Sequence, residues 1–160
     1  LLTGDFETRD NFRQKYNGRF SLHDKIDGST LGKLLLEPTK IYVEAMANIS
    51  KKFDVTGINN TGYGLKNLNR IREKVEFRIN KAVKPQQIFE LMQEESQFTD
   101  EQMYTTFNMG MGFFVVCKKE NADDILDITK DASIVGELRE SKKTVTVLEE
   151  NNKKIVFEGY

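Results

Sequence analysis

The sequence predicts an α+β domain, a mixed sheet with helices packed on it. Val75, Phe77 and Ile79 alternate with Glu76, Arg78 and Asn80, the period of a strand with one wet face. Tyr42, Ala45, Met46 and Ile49 recur at i, i+3, i+4 and i+7, the period of a helix with one apolar face. Segments of both kinds interleave along the chain without the strict βαβ repetition of a doubly wound fold.

Residues 1–30 read as a polar N-terminal arm and domain junction, with 31–160 as the domain proper. Tyr16-Asn17-Gly18 and Ile26-Asp27-Gly28 are turn signals in the arm, and its apolar residues Phe6, Phe12, Phe20 and Leu22 are sparse. Pro38 suits a first helical turn, where its missing N–H has no partner in any case, so the Tyr42–Ile49 helix is expected to open there. A short strand over 53–58 follows, then a short helix with Leu65, Leu68 and Ile71 on one face. After the 75–79 strand, Pro85 opens a helix carrying Ile88, Phe89, Leu91 and Met92. Thr99 with Gln102 three residues on is a capping-box pattern and starts another helix, ending near Phe107. The apolar run from Phe113, continued to Lys119, reads as a strand buried on both faces. Asn121 with Asp123 and Asp124 marks a helix start, its inner face being Ala122, Ile125 and Leu126. Strands over 133–138, 144–148 and 154–158 close the chain, with Asn151-Asn152 as the last turn.

The 160 residues carry 24 basic and 25 acidic side chains in a well-mixed order, for a net charge of −1. No like-charge block suggests a nucleic-acid arm or a membrane-surface helix. The apolar run Phe113–Cys117 is far too short to span a bilayer, and no signal-peptide pattern opens the chain. Cys117, the lone cysteine, reads as a small buried hydrophobe in a reducing compartment, so a cytoplasmic location is expected. The opening Leu1-Leu2-Thr3-Gly4, without an initiator methionine, reads as the start of a piece cut from a longer protein.

Two glycine-bearing turns are the candidate sites. Thr56-Gly57-Ile58-Asn59-Asn60-Thr61-Gly62-Tyr63-Gly64 joins a strand to a helix start, where glycines admit a close ligand and exposed N–H groups at the helix N-terminus favour an anion such as phosphate. From spacing alone a plain strand-to-helix turn is the favoured reading of the same residues, and the segment is neither a P-loop nor a dinucleotide fingerprint. Asn108, Gly110 and Gly112 form the second turn, ahead of Phe113. It can present an amide and bare backbone to a ligand, or simply cap the preceding helix. Glu37, Glu44, Asp54 and Asp123/Asp124 make no spaced constellation, and His23 is the single histidine. No zinc site, catalytic triad or other catalytic residue is therefore assigned, and no metal ligand.

Three ordered segments carry a family resemblance: Leu34-Leu35-Leu36-Glu37-Pro38-Thr39-Lys40-Ile41-Tyr42-Val43, Thr61-Gly62-Tyr63-Gly64 with Asn67-Leu68 and Arg70, and Met103–Gly112 with Ile134-Val135-Gly136-Glu137 behind it. From about Asn11 to Glu137 the chain resembles the C-terminal domain of the AIR synthase superfamily. Within it the Glu-Pro-Thr-x-Ile-Tyr run favours the aminoimidazole ribonucleotide synthetases, the cyclo-ligases of purine biosynthesis. The resemblance implies an ATP- and magnesium-dependent ligase that closes formylglycinamidine ribonucleotide to aminoimidazole ribonucleotide, releasing ADP and phosphate. It implies that ATP and Mg are held mainly by an N-terminal domain absent from this chain, and that the full-length protein is a homodimer with a small ribonucleotide as substrate. The chain begins just past the family's usual His-Ser-Asn-Gly segment, so on its own it is expected to bind weakly and not to turn over.

The resemblance makes Asn60, Thr61, Gly62, Gly64, Asn108 and Gly110 the substrate- or phosphate-facing wall. The family typically has His-Ile-Thr-Gly-Gly-Gly where this chain has Asn59–Gly64, so the histidine is replaced and Tyr63 stands at the middle glycine. Tyr63 limits how closely a phosphate can approach the backbone. A divergent paralogue with another substrate, or a non-catalytic interaction module keeping the fold, are the alternative readings.

Overall fold

The computed structural model describes residues 19–26, 28–150 and 152–159. The described elements are, in order, β1 (Lys25–Ile26), β2 (Ser29–Thr30), α1 (Leu31–Leu35), α2 (Val43–Ser50), β3 (Val55–Asn59), a 3-10 helix (Gly64–Arg70) and β4 (Val75–Ile79). There follow α3 (Gln87–Ser96), α4 (Asp100–Thr106), β5 (Phe113–Cys117), a 3-10 turn (Lys119–Asn121), α5 (Ala122–Ile128), β6 (Gly136–Glu140), β7 (Val145–Glu150) and β8 (Lys153–Glu158). Helices and a mixed sheet together make the α+β class. The chain divides into two compact units, one running up to Thr39 and including Pro85–Met103, the other holding Lys40–Lys84 and the residues from Tyr104 onward.

In the first unit β1 and β2 pair antiparallel, Ile26 opposite Ser29. A two-residue ladder is too short to stand alone. It is held because Ile26 and Leu31 are buried together with Phe20, Leu34 and three α3 residues, Ile88, Leu91 and Met92. Phe20 and Ile26, sparse in the sequence, thus belong to a real apolar cluster. Thr30 caps α1 by accepting from the Lys33 N–H at 3.4 Å. The Thr99–Gln102 capping box forms reciprocally: Thr99 N–H donates to Gln102 Oε1 at 2.9 Å and Gln102 N–H to Thr99 Oγ1 at 3.2 Å. The turn signal at Tyr16-Asn17-Gly18, Phe6 and Phe12, and the centre of the Asp27 turn lie outside the described residues.

The helix expected from Pro38 begins instead at Val43, and a separate helix, α1, precedes the proline. Proline disfavours helical backbone in the residue before it, so Glu37 breaks the run; Pro38 itself lies between the two helices, in neither of them. Likewise α3 starts at Gln87, two residues after Pro85.

In the second unit the four-stranded sheet has the order β6-β4-β7-β8. β4 runs parallel to β7 and antiparallel to β6, and β7 pairs antiparallel with β8. Val75, Phe77 and Ile79 are buried as the alternation requires, with Val147, Leu148 and Phe157 from β7 and β8. Each such side chain contributes about 1.5–3 kcal/mol of transfer free energy. On the wetter face Arg78 donates to Glu149 at 2.7 Å. That bond, and then the charge of Glu149, raises the Arg78 pKa further. The 3-10 helix lies against β7 and β8, burying Leu65 and Leu68, and Asn69 accepts from Thr146 Oγ1 at 2.8 Å. The spacing of three between Leu65, Leu68 and Ile71 matches the 3.0-residue repeat of this helix type.

β3 and β5 form a separate antiparallel ribbon with Asn59 opposite Phe113. Contrary to expectation β5 is not buried on both faces: only Phe114 is buried and its other four residues are half-buried. A strand with one partner has neither the flanking strands nor the double cover that full burial needs. β5 also stops at Cys117 rather than reaching Lys119. Burial raises the Cys117 thiol pKa. Asn121 precedes α5 as expected but makes no side-chain cap bond. β6 begins at Gly136, not at residue 133. Asn152 has φ +62 in the last turn, while its neighbour Asn151 lies outside the described residues.

Candidate functional site

Both glycine-bearing turns leave the same end of the β3–β5 ribbon, and side chains from each fix the other. Past the last ladder pair, the Asn60 N–H donates to the Gly112 carbonyl at 2.9 Å. The Asn60 side chain is 2 % exposed, and its amide nitrogen donates to the Met111 carbonyl at 2.8 Å and to that of Asn108 at 3.4 Å. Two carbonyl acceptors dictate which way the amide faces, because its oxygen could not take that place. Asn60 Oδ1 is consequently buried with no hydrogen-bond partner among the described residues.

The second turn runs Asn108-Met109-Gly110-Met111. The Met111 N–H donates to the Asn108 carbonyl at 2.9 Å, and φ is positive at both Met109 (+48) and Gly110 (+87). That is the type I′ pattern rather than a helix cap, for α4 has already ended at Thr106. Asn108 Oδ1 accepts from the Gly110 N–H at 3.0 Å, and the buried Met109 and Met111 side chains anchor the turn.

The first turn runs Thr61-Gly62-Tyr63-Gly64, closed by Gly64 N–H to the Thr61 carbonyl at 3.0 Å. Tyr63, at φ +73 and ψ 0, occupies the position of a type II turn that normally demands glycine or asparagine. Asn67, also 2 % exposed, clamps the turn from inside: its amide nitrogen donates to Gly64 O at 2.8 Å, Gly62 O at 2.9 Å and Thr61 O at 3.4 Å. Gly64 has φ +49, and a Cβ there would stand 2.0 Å from the Tyr104 carbonyl oxygen. Only glycine permits that approach.

Tyr42 joins the same place from the first of the three resemblance segments. Its ring stacks on Phe113 at 5.0 Å, and its hydroxyl lies where a Gly112 Cβ would come within 2.2 Å. Lys40, two residues earlier, donates to Asp131 at 2.8 Å. The Lys40 hydrogen bond, and then its charge, holds the Asp131 carboxyl below its usual range.

The six residues singled out from sequence are thus brought together, in two different settings. Thr61 and Gly62 are exposed, Gly62 has open space beside it, and neither N–H makes a hydrogen bond among the described residues. Asn60 and Gly64 are buried and hold the turns in place; Asn108 and Gly110 are half-buried and bonded to one another. Asn67 and Tyr42, which the sequence did not mark as site residues, position the turns. Asn67 follows Gly64 at a spacing of three, yet spacing cannot separate a buried asparagine from a solvated one.

The arrangement offers backbone N–H groups, a threonine hydroxyl and a tyrosine, a donor set suited to anionic or hydroxyl oxygens. It contains no carboxylate or imidazole for acid–base work. Among the described residues no group of three His, Cys, Asp or Glu side chains could hold a metal ion. No helix among them is long and apolar enough to cross a membrane.

Fold and turns together define an α+β domain with a backbone-lined, glycine-bearing turn pair. Residues 10–149 match the family described as AIR synthase related protein, C-terminal domain, and the chain belongs to that family. It is similar to the phosphoribosylformylglycinamidine cyclo-ligase of Methanopyrus kandleri, 34% identical over 141 residues, covering 85% of this chain and 41% of that protein. The Methanococcus maripaludis protein of the same name is 36% identical over 143 residues, covering 82% and 41%. That of Methanosarcina acetivorans is 38% identical over 126 residues, covering 76% and 37%. The chain therefore spans about two fifths of the length of these curated relatives.

Proposed function

We propose that this chain is the substrate-side wall of an ATP-dependent cyclo-ligase that converts formylglycinamidine ribonucleotide to aminoimidazole ribonucleotide in purine biosynthesis. The observation that carries the reading is the convergence of Tyr42, Thr61–Gly64 and Asn108–Gly112, three segments distant in sequence, on one end of the β3–β5 ribbon. Thr61 and Gly62 anchor phosphate or substrate oxygens through their N–H groups, an electrostatic role that needs no titrating side chain. Asn108 and Gly110 shape the facing turn, while Asn60 and Gly64 hold the wall from behind. ATP and magnesium bind mainly outside this chain, in an N-terminal domain of the complete enzyme. That enzyme works as a cytoplasmic homodimer, with no nucleic-acid or membrane partner.

The test is a chimera in which this chain replaces the matching region of the Methanopyrus kandleri relative. It is supplied with formylglycinamidine ribonucleotide and Mg-ATP. Aminoimidazole ribonucleotide formed at one ADP per ring closed is the expected result. Tyr63 at a position where the family typically has glycine favours one second reading, a paralogue with another substrate. ADP release without ring closure would select it. Neither product would leave a non-catalytic module.

A further inference from the structure

β6 is an outer strand of the four-stranded sheet, with β4 on one side and, among the described residues, no strand on the other. The Ser141 N–H donates to the Lys74 carbonyl at 3.0 Å and the Asn80 N–H to that of Val135 at 3.1 Å. The odd-numbered residues of this segment therefore turn their backbone groups toward β4. Gly136, Leu138 and Glu140, one step out of phase, turn theirs to the open edge, where none of them bonds to another described residue. The other outer strand, β8, is protected: it carries Lys153 and Lys154, and the Asn69 amide takes its Phe157 carbonyl at 3.0 Å. β6 has neither lysine nor proline, and its ladder with β4 runs without a bulge. Leu138 lies opposite Phe77 on the core face, yet it is 36 % exposed because the sheet ends there. On the wet face Glu137 pairs with Arg139 of its own strand, and the β4 residues opposite them are Arg78 and Glu76.

We propose that β6 is a dimerisation edge, through which two copies of this chain pair antiparallel about a two-fold axis at Leu138. That register sets Leu138 against the partner's Leu138 and Gly136 against the partner's Glu140, so the outward N–H and carbonyl groups of β6 meet their complements. It also sets Glu137 against the partner's Arg139. The row across the seam then runs Glu149, Arg78, Glu137, the partner's Arg139, the partner's Glu76, alternating in sign throughout. An axis at Glu137, Arg139 or Glu140 would bring two like charges face to face. An axis at Gly136 would leave the rest of β6 opposite residues that precede the partner's strand. The contact belongs to this domain itself, adds to any that the rest of a complete enzyme makes, and does not depend on the substrate-wall reading. A seam of one short strand buries less than a standard interface, so the dimer is weak and forms with rising concentration.

The test is sedimentation equilibrium and amide NMR on the 160-residue chain, up to about 1 mM, where weak dimers populate. The parent chain should pass from monomer to dimer. As it does so the Gly136, Leu138 and Glu140 amide protons should exchange more slowly with water, while those of Glu137 and Arg139 stay as they were. Glu137→Arg and Arg139→Glu should each weaken self-association about tenfold, since symmetry repeats every like-charge contact. Mixed in equal amounts the two variants should recover a dimer, because at these positions one presents only positive and the other only negative charge. That recovery also shows that both variants fold. Should either one unfold, the exchange pattern of the parent chain decides alone. A parent chain that stays monomeric overturns the proposal, as does a dimer in which Leu138 exchange is unchanged. So does a mixture of folded variants that associates no better than either alone.

Discussion

The amide nitrogen of Asn60 stands 2.8 Å from the carbonyl oxygen of Met111, a buried bond between residues 51 apart in the chain. With the Asn60 N–H on Gly112 it couples a strand exit to a strand entry, so neither turn can shift without the other. Replacing Asn60 by Leu fills similar volume but leaves the Met111 carbonyl buried and unpaired. Urea unfolding should show a loss of about 1–3 kcal/mol. A loss well below 1 kcal/mol would mean that water reaches Met111 in solution.

The two turn glycines should respond in opposite ways to the same change. Gly64→Ala places a methyl group 2.0 Å from the Tyr104 carbonyl, on backbone at φ +49. The atoms that the methyl group meets, the Tyr104 and Phe107 carbonyls, are backbone and cannot swing aside as a side chain could, so a loss of about 3 kcal/mol or more is expected. Gly62 has nothing within 4 Å of its Cβ position and no positive φ. Gly62→Ala should change stability by about 0.5 kcal/mol or less. Thermal melts of the two variants side by side decide this.

How far the fold could be read in advance followed from the range of each interaction. The β4 strand and the Thr99–Gln102 box were legible because alternation and reciprocal capping are complete within a few residues. Pro38 misled because a proline fits a first helical turn and an extended segment equally well, and its own ring does not choose between them. β5 looked doubly buried because an apolar run records side-chain type and not the number of neighbouring strands. At the site, the glycines of both turns were visible as sequence. The contribution of Asn60, Asn67 and Tyr42 was not: each acts through one buried tertiary contact, and exposed asparagines and tyrosines look the same in sequence.

Asn67 is the simplest of these tertiary contacts to test, because its amide nitrogen faces three carbonyl oxygens of one turn, of which only that of Thr61 is also seen to accept from the Gly64 N–H. Asn67→Asp keeps the size and removes the donor, setting a buried carboxylate against those oxygens. A loss of about 2–4 kcal/mol is expected at neutral pH. Because the site disfavours the charged form, the folded-state pKa of the new carboxyl is raised above its unfolded value. The variant should therefore be least damaged below about pH 4 and lose stability as pH rises through that raised value. Urea titrations at acidic and neutral pH should show this trend relative to the parent chain; parallel curves would place the side chain in water.

Lys40 and Asp131 give a pH prediction of the opposite sign. The hydrogen bond from the Lys40 ammonium, and then its charge, lowers the Asp131 carboxyl pKa. Whatever stability the pair adds is present above the unfolded carboxylate value of about 3.9, and is lost as pH falls through the lowered folded value. Both side chains are largely exposed, so the direct effect on stability is small and weakens with salt. The titration itself is the sensitive readout. Carbon-13 NMR of the Asp131 carboxyl should show its midpoint moving up to the ordinary range in Lys40→Met. Lys40 lies two residues before Tyr42, whose hydroxyl fills the space beside Gly112. If the pair fixes this segment, the Gly112 amide should shift in the same variant at neutral pH. A moved carboxyl midpoint with an unmoved Gly112 amide would mean that stacking on Phe113 holds Tyr42 in place without help from the ion pair.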